Sequence, residues 1–274
     1  MELQAKLQGI HLLSPEPLRL AHFYSTTYDM TLESVADGYL CRALGRQVAA
    51  SAGRANQLNY AHFAFHTNAA WDAFALRAKG FAQSALVPGF EPGEALSFSD
   101  PDGNQMVFTT PVGDDLPASS QVPPATLQHF ALRTAQIDTM LTFYTEQLGF
   151  VLSDAVRDAE GALRACFLRS DSLHHALALF FAPAPCFDHQ SFEAPDWSSM
   201  KTWGDHMASQ QVPIVWGIGR HGPGNDVFFM VRDPDGNLAE ISSEIEQCES
   251  GRPAGLWPHE ERTLNLWGKA ILRS

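Results

Sequence analysis

Ile137, Met140, Leu141 and Tyr144 recur at helical spacing in "IDTMLTFYTEQ" (137–147), and Gly149 follows as a stop signal, which predicts a helix there. The runs "LALFF" (177–181) and "DVFFMV" (226–231) are short, apolar and rich in β-forming residues, and predict strands near a core. In "DPDGN" (233–237) the Asp-Gly pair suits a tight reversal, because glycine accepts the positive φ that such turns need. The strand after it alternates, so Leu238 and Glu240 share one face and Ala239 and Ile241 the other.

The same plan occurs earlier in the chain. "DPDGN" stands also at 100–104, an offset of 133 residues (233 minus 100), followed by "QMVF" instead of "LAEI", so that Val107 stands where the second copy has Glu240. "FYSTTYDMTL" (23–32) echoes "FYTEQLGFVL" (143–152), and each follows a histidine-bearing apolar stretch, "GIHLL" with His11 and "LQHFAL" with His129. "AHFAF" with His62 leads into "WDAFALRAKG", as "DHQSFEA" with His189 leads into "DWSSMKTWGDHMASQQ". Each half therefore reads as strand with His, helix with Phe-Tyr, strands, strand with His, helix with Trp, then a hairpin through DPDGN. Residues 109–126, rich in Pro, Ser and Asp without periodicity, read as a linker. That divides the chain into an N-terminal unit over 1–115 and a C-terminal unit over 116–274. The two tryptophans of the tail, Trp257 and Trp267, predict that it packs against a domain.

Composition narrows the class. With 274 residues, 45% hydrophobic and 18% charged, the chain can fill one large core or two ordinary ones. A net charge of −13 without a Lys/Arg cluster argues against nucleic acid as a partner. The absence of a long apolar run or a signal-like start points to no membrane and a cytoplasmic protein. Cys41, Cys166, Cys186 and Cys248 are far apart and read as buried thiols.

The candidate chemistry lies in the second half. Glu240, on a strand of apolar neighbours, requires a cation to offset its burial. His129 and His189 lie on strands of the same half, and two histidines with one carboxylate can occupy one face of an octahedral metal, leaving three positions open. Many proteins contain such a trio by chance, and core histidines with a surface glutamate remain the alternative at this point.

The order of landmarks resembles the type I extradiol ring-cleaving dioxygenases of the vicinal oxygen chelate superfamily. The resemblance covers nearly the whole chain and is most specific at "LQHFALRTAQIDTMLTFYTEQLGFVLSD", "FLRSDSLHHALAL", "DHQSFEA" and "GRHGPGNDVFFMVRDPDGNLAEI". It implies an α+β fold of four βαβββ modules paired into two curved, cup-like sheets, with Fe(II), or Mn(II) in its place, only in the second. It implies His129, His189 and Glu240 as metal ligands, His175 as acid/base with His174 as competitor, and His221 as a substrate contact. A catechol-like ring and O2 are the implied substrates, opened beside the diol, and subunits are expected to associate. One position departs: Met230 stands where the family usually has a tyrosine whose hydroxyl reaches the substrate or oxygen, and methionine cannot donate that bond. The N-terminal unit, with His11 and His62 in the matching places but Val107 for the carboxylate, is expected to be a structural duplicate. Two other functions fit the same scaffold, cleavage of a hydroquinone-type or trihydroxylated ring and non-catalytic binding of a small molecule.

Overall fold

The computed structural model describes residues 3–113, 116 and 122–271. Among them, two mixed sheets and few helices form an α+β fold. The first half runs β1 (Ala5–Ser14), α1 (Pro17–Thr27), β2 (Thr31–Val35), β3 (Gly38–Ala43), β4 (Arg46–Ala52), β5 (Gln57–Phe65), α2 (Asn68–Ala78), β6 (Ala95–Ser99) and β7 (Gln105–Thr109). The second runs β8 (Thr126–Thr134), α3 (Ile137–Thr142), β9 (Val151–Arg157), β10 (Leu163–Arg169), β11 (Leu177–Phe181), β12 (Cys186–Glu193), α4 (Trp197–Ser209), β13 (Trp216–Arg220), β14 (Val227–Arg232) and β15 (Leu238–Ser243), followed by β16 (Gly255–Pro258) and α5 (Glu261–Leu264).

The sheets have the same strand order. The first is β2-β3-β4-β1-β5-β7-β6, and the second, without its edges β13 and β16, is β9-β10-β11-β8-β12-β15-β14. Three of the four modules are complete βαβββ units, whereas the one that starts at β5 has two strands after its helix. Of the expected linker at 109–126, residues 114, 115 and 117–121 lie outside the described residues, as does one side of the expected boundary at 115/116.

Local chemistry accounts for the elements. Pro17 opens α1, where its missing N–H costs nothing. Thr67 caps α2 by accepting from the Ala70 N–H at 3.1 Å, and Asp196 caps α4 by accepting from Ser199 at 2.8 Å. The helix expected over 137–147 is α-helical only to Thr142. Phe143–Leu148 then form a wider π-helical turn, which Gly149 ends at φ +87°. Both DPDGN turns are built alike. One carboxylate oxygen of Asp100 takes the N–H groups of Asp102 and Asn104, at 3.0 and 2.9 Å, and Asp233 does the same for Asp235 and Asn237. Gly103 and Gly236 both have φ +92°.

One face of each sheet packs into a common core that runs through both halves, with Phe63 against Phe130 and Tyr28 against Phe192. Ala239 and Ile241 point into this core and Leu238 and Glu240 to the opposite face, as the alternation predicted. The tail does pack, as its tryptophans suggested: β16 extends the second sheet along β9, and the Trp257 indole N–H donates to Asp154 at 2.7 Å. All four cysteines are free, Cys41, Cys166 and Cys248 buried and Cys186 half-buried. Among the described residues no helix is long and apolar enough to cross a membrane.

Candidate metal centre

Three adjacent strands, β8, β12 and β15, bring together residues far apart in sequence. Ser191 of β12 pairs with His129 on one side and with Glu240 on the other, so these three form a row across the inner face of the second sheet. His189 lies two residues along β12 and therefore projects from the same face. The ligand atoms of His129, His189 and Glu240 all lie within 4.8 Å of one another, and all three residues are buried. The two imidazole Nε2 atoms are 3.2 Å apart, and Glu240 Oε2 is 3.8 Å from that of His189.

The other nitrogen of each ring is held by the residue just before it in sequence. His129 Nδ1 donates to the side-chain oxygen of Gln128, whose amide N–H in turn donates to the His175 carbonyl. His189 Nδ1 donates to Asp188 at 2.6 Å, and the second oxygen of Asp188 accepts from Arg133 Nε at 2.6 Å. With hydrogen on Nδ1, each Nε2 turns a lone pair toward the common point, the form a metal needs. Burial, then the nearby His189, His221 and His174, pushes the His129 pKa well below its ordinary value, so its neutral form is favoured. This donor set fits a divalent ion of the Fe or Mn type, with nitrogen and carboxylate oxygen on one side and a small cavity on the other.

A second set shares Glu240, with His221 and Asp226. It fits a cation less well. Asp226 is fully buried, and burial first, then the charge of Glu193, drives its pKa well above the ordinary carboxylate range, which favours the neutral acid. His221 Nδ1 donates to the Leu264 carbonyl at 2.6 Å, which fixes the ring.

The remaining candidates gather around the same point. His175 lies in the loop between β10 and β11 and forms part of the cavity wall, its ring centroid 4.3 Å from that of His129. His174 is wholly buried behind it, facing Asp154. His221 stacks on Phe228, with centroids 3.8 Å apart and planes 2° from parallel, and it also lines the cavity. Met230, paired with Glu240 across β14 and β15, faces the cavity beside Phe167, Phe180 and Leu264. The free volume is about 20 Å³, room for a water but not for an aromatic ring, so a ring can enter only if flexible walls such as Met230 and Leu264 yield.

Sequence reasoning missed Gln128, Asp188, Asp154, Asp226 and Leu264. The dipeptides "QH" and "DH" were the available signal for the first two; Leu264 had none, since only the path of the tail brings it to the cavity.

The first sheet corrects one expectation. Val107 pairs with His62 as Glu240 pairs with Ser191, and His62 pairs with Gly9 as Ser191 pairs with His129. The bulged residue of β5, Asn59, likewise precedes Tyr60 as Asp188 precedes His189. The positions matching the ligand trio are thus Gly9, Tyr60 and Val107, and His11 and His62 are each displaced by two residues. Both bond to hydroxyls instead, His11 to Ser51 at 2.7 Å and His62 to Thr109 at 2.8 Å, and they line a much larger cavity of about 740 Å³.

A family profile described as Glyoxalase/Bleomycin resistance protein/Dioxygenase superfamily matches residues 126–241. The chain is similar to metapyrocatechase 2 of Cupriavidus necator, with 29% identity over 209 residues, 67% of this chain and 63% of that protein. It thus spans less than two thirds of that relative's length. Among solved structures, homoprotocatechuate 2,3-dioxygenase from Arthrobacter globiformis superposes with a TM-score of 0.80 at 20% identity, covering 97% of this chain and 88% of that one. A Mn(II)-bound glyoxalase from Novosphingobium aromaticivorans superposes with a TM-score of 0.77 at 21% identity, covering 98% and 92%. At such identities these two structures establish the fold alone.

Proposed function

We propose that this chain, whose residues 126–241 match the profile of the Glyoxalase/Bleomycin resistance protein/Dioxygenase superfamily, is an extradiol dioxygenase that opens a catechol-like ring beside its diol. The cofactor in this reading is Fe(II), or Mn(II) in its place, held by His129, His189 and Glu240. The observation that carries the reading is the convergence of the ligand atoms of those three buried residues within 4.8 Å, with His129 and His189 lining the same cavity as His175 and His221. A binding protein has no need for a metal trio and a neutral base in one cavity.

A divalent ion held by His129, His189 and Glu240 would supply Lewis acidity toward the diol and electron exchange between diol and O2. The protein's own groups do the rest. His175 is kept neutral by burial, and next by His129 and the other nearby histidines, so it can take a proton from a diol hydroxyl and return one to an oxygen of the opening ring. His221, fixed by Leu264 and Phe228, orients a polar group of the substrate. Phe167 and Phe180 pack on the ring and exclude water. Both oxygen atoms of O2 end in the ring-opened product, so the balance needs no outside reductant.

The test is full-length protein loaded with Fe(II) under anaerobic conditions, then mixed with O2 and a panel of mono- and bicyclic catechols. Oxygen uptake with yellow ring-opened products supports the reading. A chain that binds no iron, or an iron-loaded chain that consumes no oxygen with any catechol, ends it.

A further inference from the structure

The described residues of the first half enclose a cavity of about 740 Å³ on the inner face of their sheet, a volume ordinary for a small-molecule site and one that the ring-opening reaction leaves unused. Four rings around it meet edge to face. His11 of β1 and Tyr60 of β5 have centroids 4.9 Å apart at 81°. Phe90, in the loop between α2 and β6, meets Tyr60 at 5.5 Å and 86° and His62 at 5.0 Å and 70°. Glycine in the place of His129 adds room: Gly9 has no side chain, and Gln47 takes part of the space, its Nε2 3.0 Å from where a Cβ would stand. Among the described residues no three metal-ligating side chains converge in this sheet, so the cup is not a second copy of the metal centre.

The lining offers a ligand almost no charge. Val107 stands in the place of Glu240. Burial lowers the pKa values of His11 and His62 to about 4, so both are uncharged at neutral pH, and each already bonds to a hydroxyl. Arg42 is held by both oxygens of Glu33, at 2.7 and 2.8 Å. Arg46 turns to the common core, where it donates to the Ala125 carbonyl at 3.1 Å and lies over Trp203. Asp37 stands in the exposed turn between β2 and β3. An ion would lose its hydration in the cup without gaining a counter-charge. Polar groups are nonetheless at hand: the Tyr60 hydroxyl and the Gln47 amide belong to residues that line the cavity and have no hydrogen-bond partner among the described residues. Both can bond to a hydroxyl group, which donates as well as accepts.

We propose that this cup is a second, metal-free binding site, which takes an uncharged aromatic ring bearing a hydroxyl group. Edge-to-face contacts with His11, Tyr60 and Phe90 favour a flat π system over a saturated ring, since aromatic pairs attract beyond the area they bury. Tyr60 and Gln47 receive the hydroxyl, and the lack of a counter-charge turns away carboxylates and ammonium groups. Binding here requires neither iron nor turnover, so the assignment does not rest on the ring-cleaving reading. The two cups differ in design: the second, with about 20 Å³ free, is built around three ligand atoms, and the first, with about 740 Å³, is lined by rings, hydroxyls and amides.

Equilibrium dialysis of the metal-free, full-length chain against 2-naphthol at neutral pH measures bound ring directly. Saturable binding with Kd of about 0.1 mM or tighter is expected. The anion 2-naphthoate, and decahydro-2-naphthol, which keeps the skeleton without π electrons, should each bind at least about tenfold more weakly. Ala49→Trp, on β4 beside His11, fills the cup and should abolish binding. Phe90→Ala changes only a loop side chain and should weaken binding about tenfold, and Tyr60→Phe about fivefold. Met230→Tyr, in the other cup, should leave Kd within about twofold. Absence of saturable binding overturns the proposal, and so does an unchanged Kd in both Ala49→Trp and Phe90→Ala. Equal affinity for 2-naphthoate overturns the charge argument and the proposal with it, and equal affinity for decahydro-2-naphthol would make the cup a general apolar cavity instead. If 2-naphthol binds as expected but the iron-loaded wild type consumes no oxygen with any catechol, the ring-cleaving reading fails and the first cup's assignment stands. Catechol turnover by a chain whose metal-free form binds no 2-naphthol sinks this assignment alone.

Discussion

The Tyr24 hydroxyl donates a 3.0 Å hydrogen bond to Asp233, joining the Phe-Tyr helix of the first half to the DPDGN turn of the second. The reciprocal bond exists: Tyr144 donates to Asp100 at 2.9 Å. Each half thus completes the buried turn of the other. Tyr24→Phe should destabilise the chain by about 2 kcal/mol at neutral pH, since it strips a donor from a buried carboxylate. Burial raises the Asp233 pKa to about 6, against the lowering effect of Asn237 and Tyr24. Its folded value exceeds its unfolded one, so this site gains stability as pH falls from above 6 toward 4, and removing Tyr24 raises the folded value further. The Tyr24→Phe deficit should accordingly shrink on acidification, as urea unfolding on both sides of pH 6 can measure.

The motifs of this reciprocal arrangement were legible, but their exchange was not. DPDGN and Phe-Tyr announce themselves through turn chemistry and helical spacing, yet nothing local says which turn a tyrosine will meet. The clustering of His129, His189 and Glu240 was legible for a related reason: alternation puts Glu240 and Leu238 on one face, and each histidine opens a strand run. Alternation also caused the error at His11 and His62. Residues two apart share a face of a strand, so sequence could not separate Gly9 from His11 or Tyr60 from His62; only the pairing of β1, β5 and β7 did. The π-helical turn at Phe143–Leu148 keeps an apolar face close to that of an α-helix, and its sequence gave no warning.

His62 makes the fold sensitive to acid. Burial lowers its pKa from 6.5 to about 4, so the unfolded chain takes up its proton first as pH falls. Stability from this residue is complete above about pH 6.5 and declines toward pH 4, a loss of about 2 kcal/mol by about pH 4.5. His62→Gln can keep the bond to Thr109 without titrating. Its unfolding free energy should therefore fall by about 2 kcal/mol less than wild type between pH 7 and about 4.5.

Metal affinity should depend on both the trio and its supports. Glu240→Val copies into the second sheet the residue that the first has at Val107, and should leave a folded chain with severely weakened iron binding. Asp188→Asn leaves every proposed ligand in place but loosens the hold on His189 Nδ1 and Arg133, and should weaken binding by about tenfold to a hundredfold. Anaerobic titration with Fe(II) measures both. Wild-type chain at a free metal concentration about a hundred times Kd should gain about 2.7 kcal/mol of stability, a gain that Glu240→Val loses. Retained iron in Glu240→Val would remove this carboxylate from the site.

Met230 is where specificity is most open to change. It is 1% exposed, pairs with Glu240 across β14 and β15, and meets the same cavity as His175 and His221. A methionine there can bend aside for a substituent but offers a substrate no hydrogen, whereas tyrosine is stiff, larger and a donor. Met230→Tyr should therefore improve simple catechol relative to a ring-substituted or bicyclic diol, by about tenfold in the ratio of kcat/KM values, the scale of one gained or lost contact in a pocket. The gain for simple catechol should lie in kcat if the hydroxyl assists the reaction, and the loss for the larger diol in KM if the stiffer ring fills the space that Met230 yields. Equal ratios in the two proteins would show that the wall formed by Phe167, Phe180 and Leu264 sets the preference without Met230.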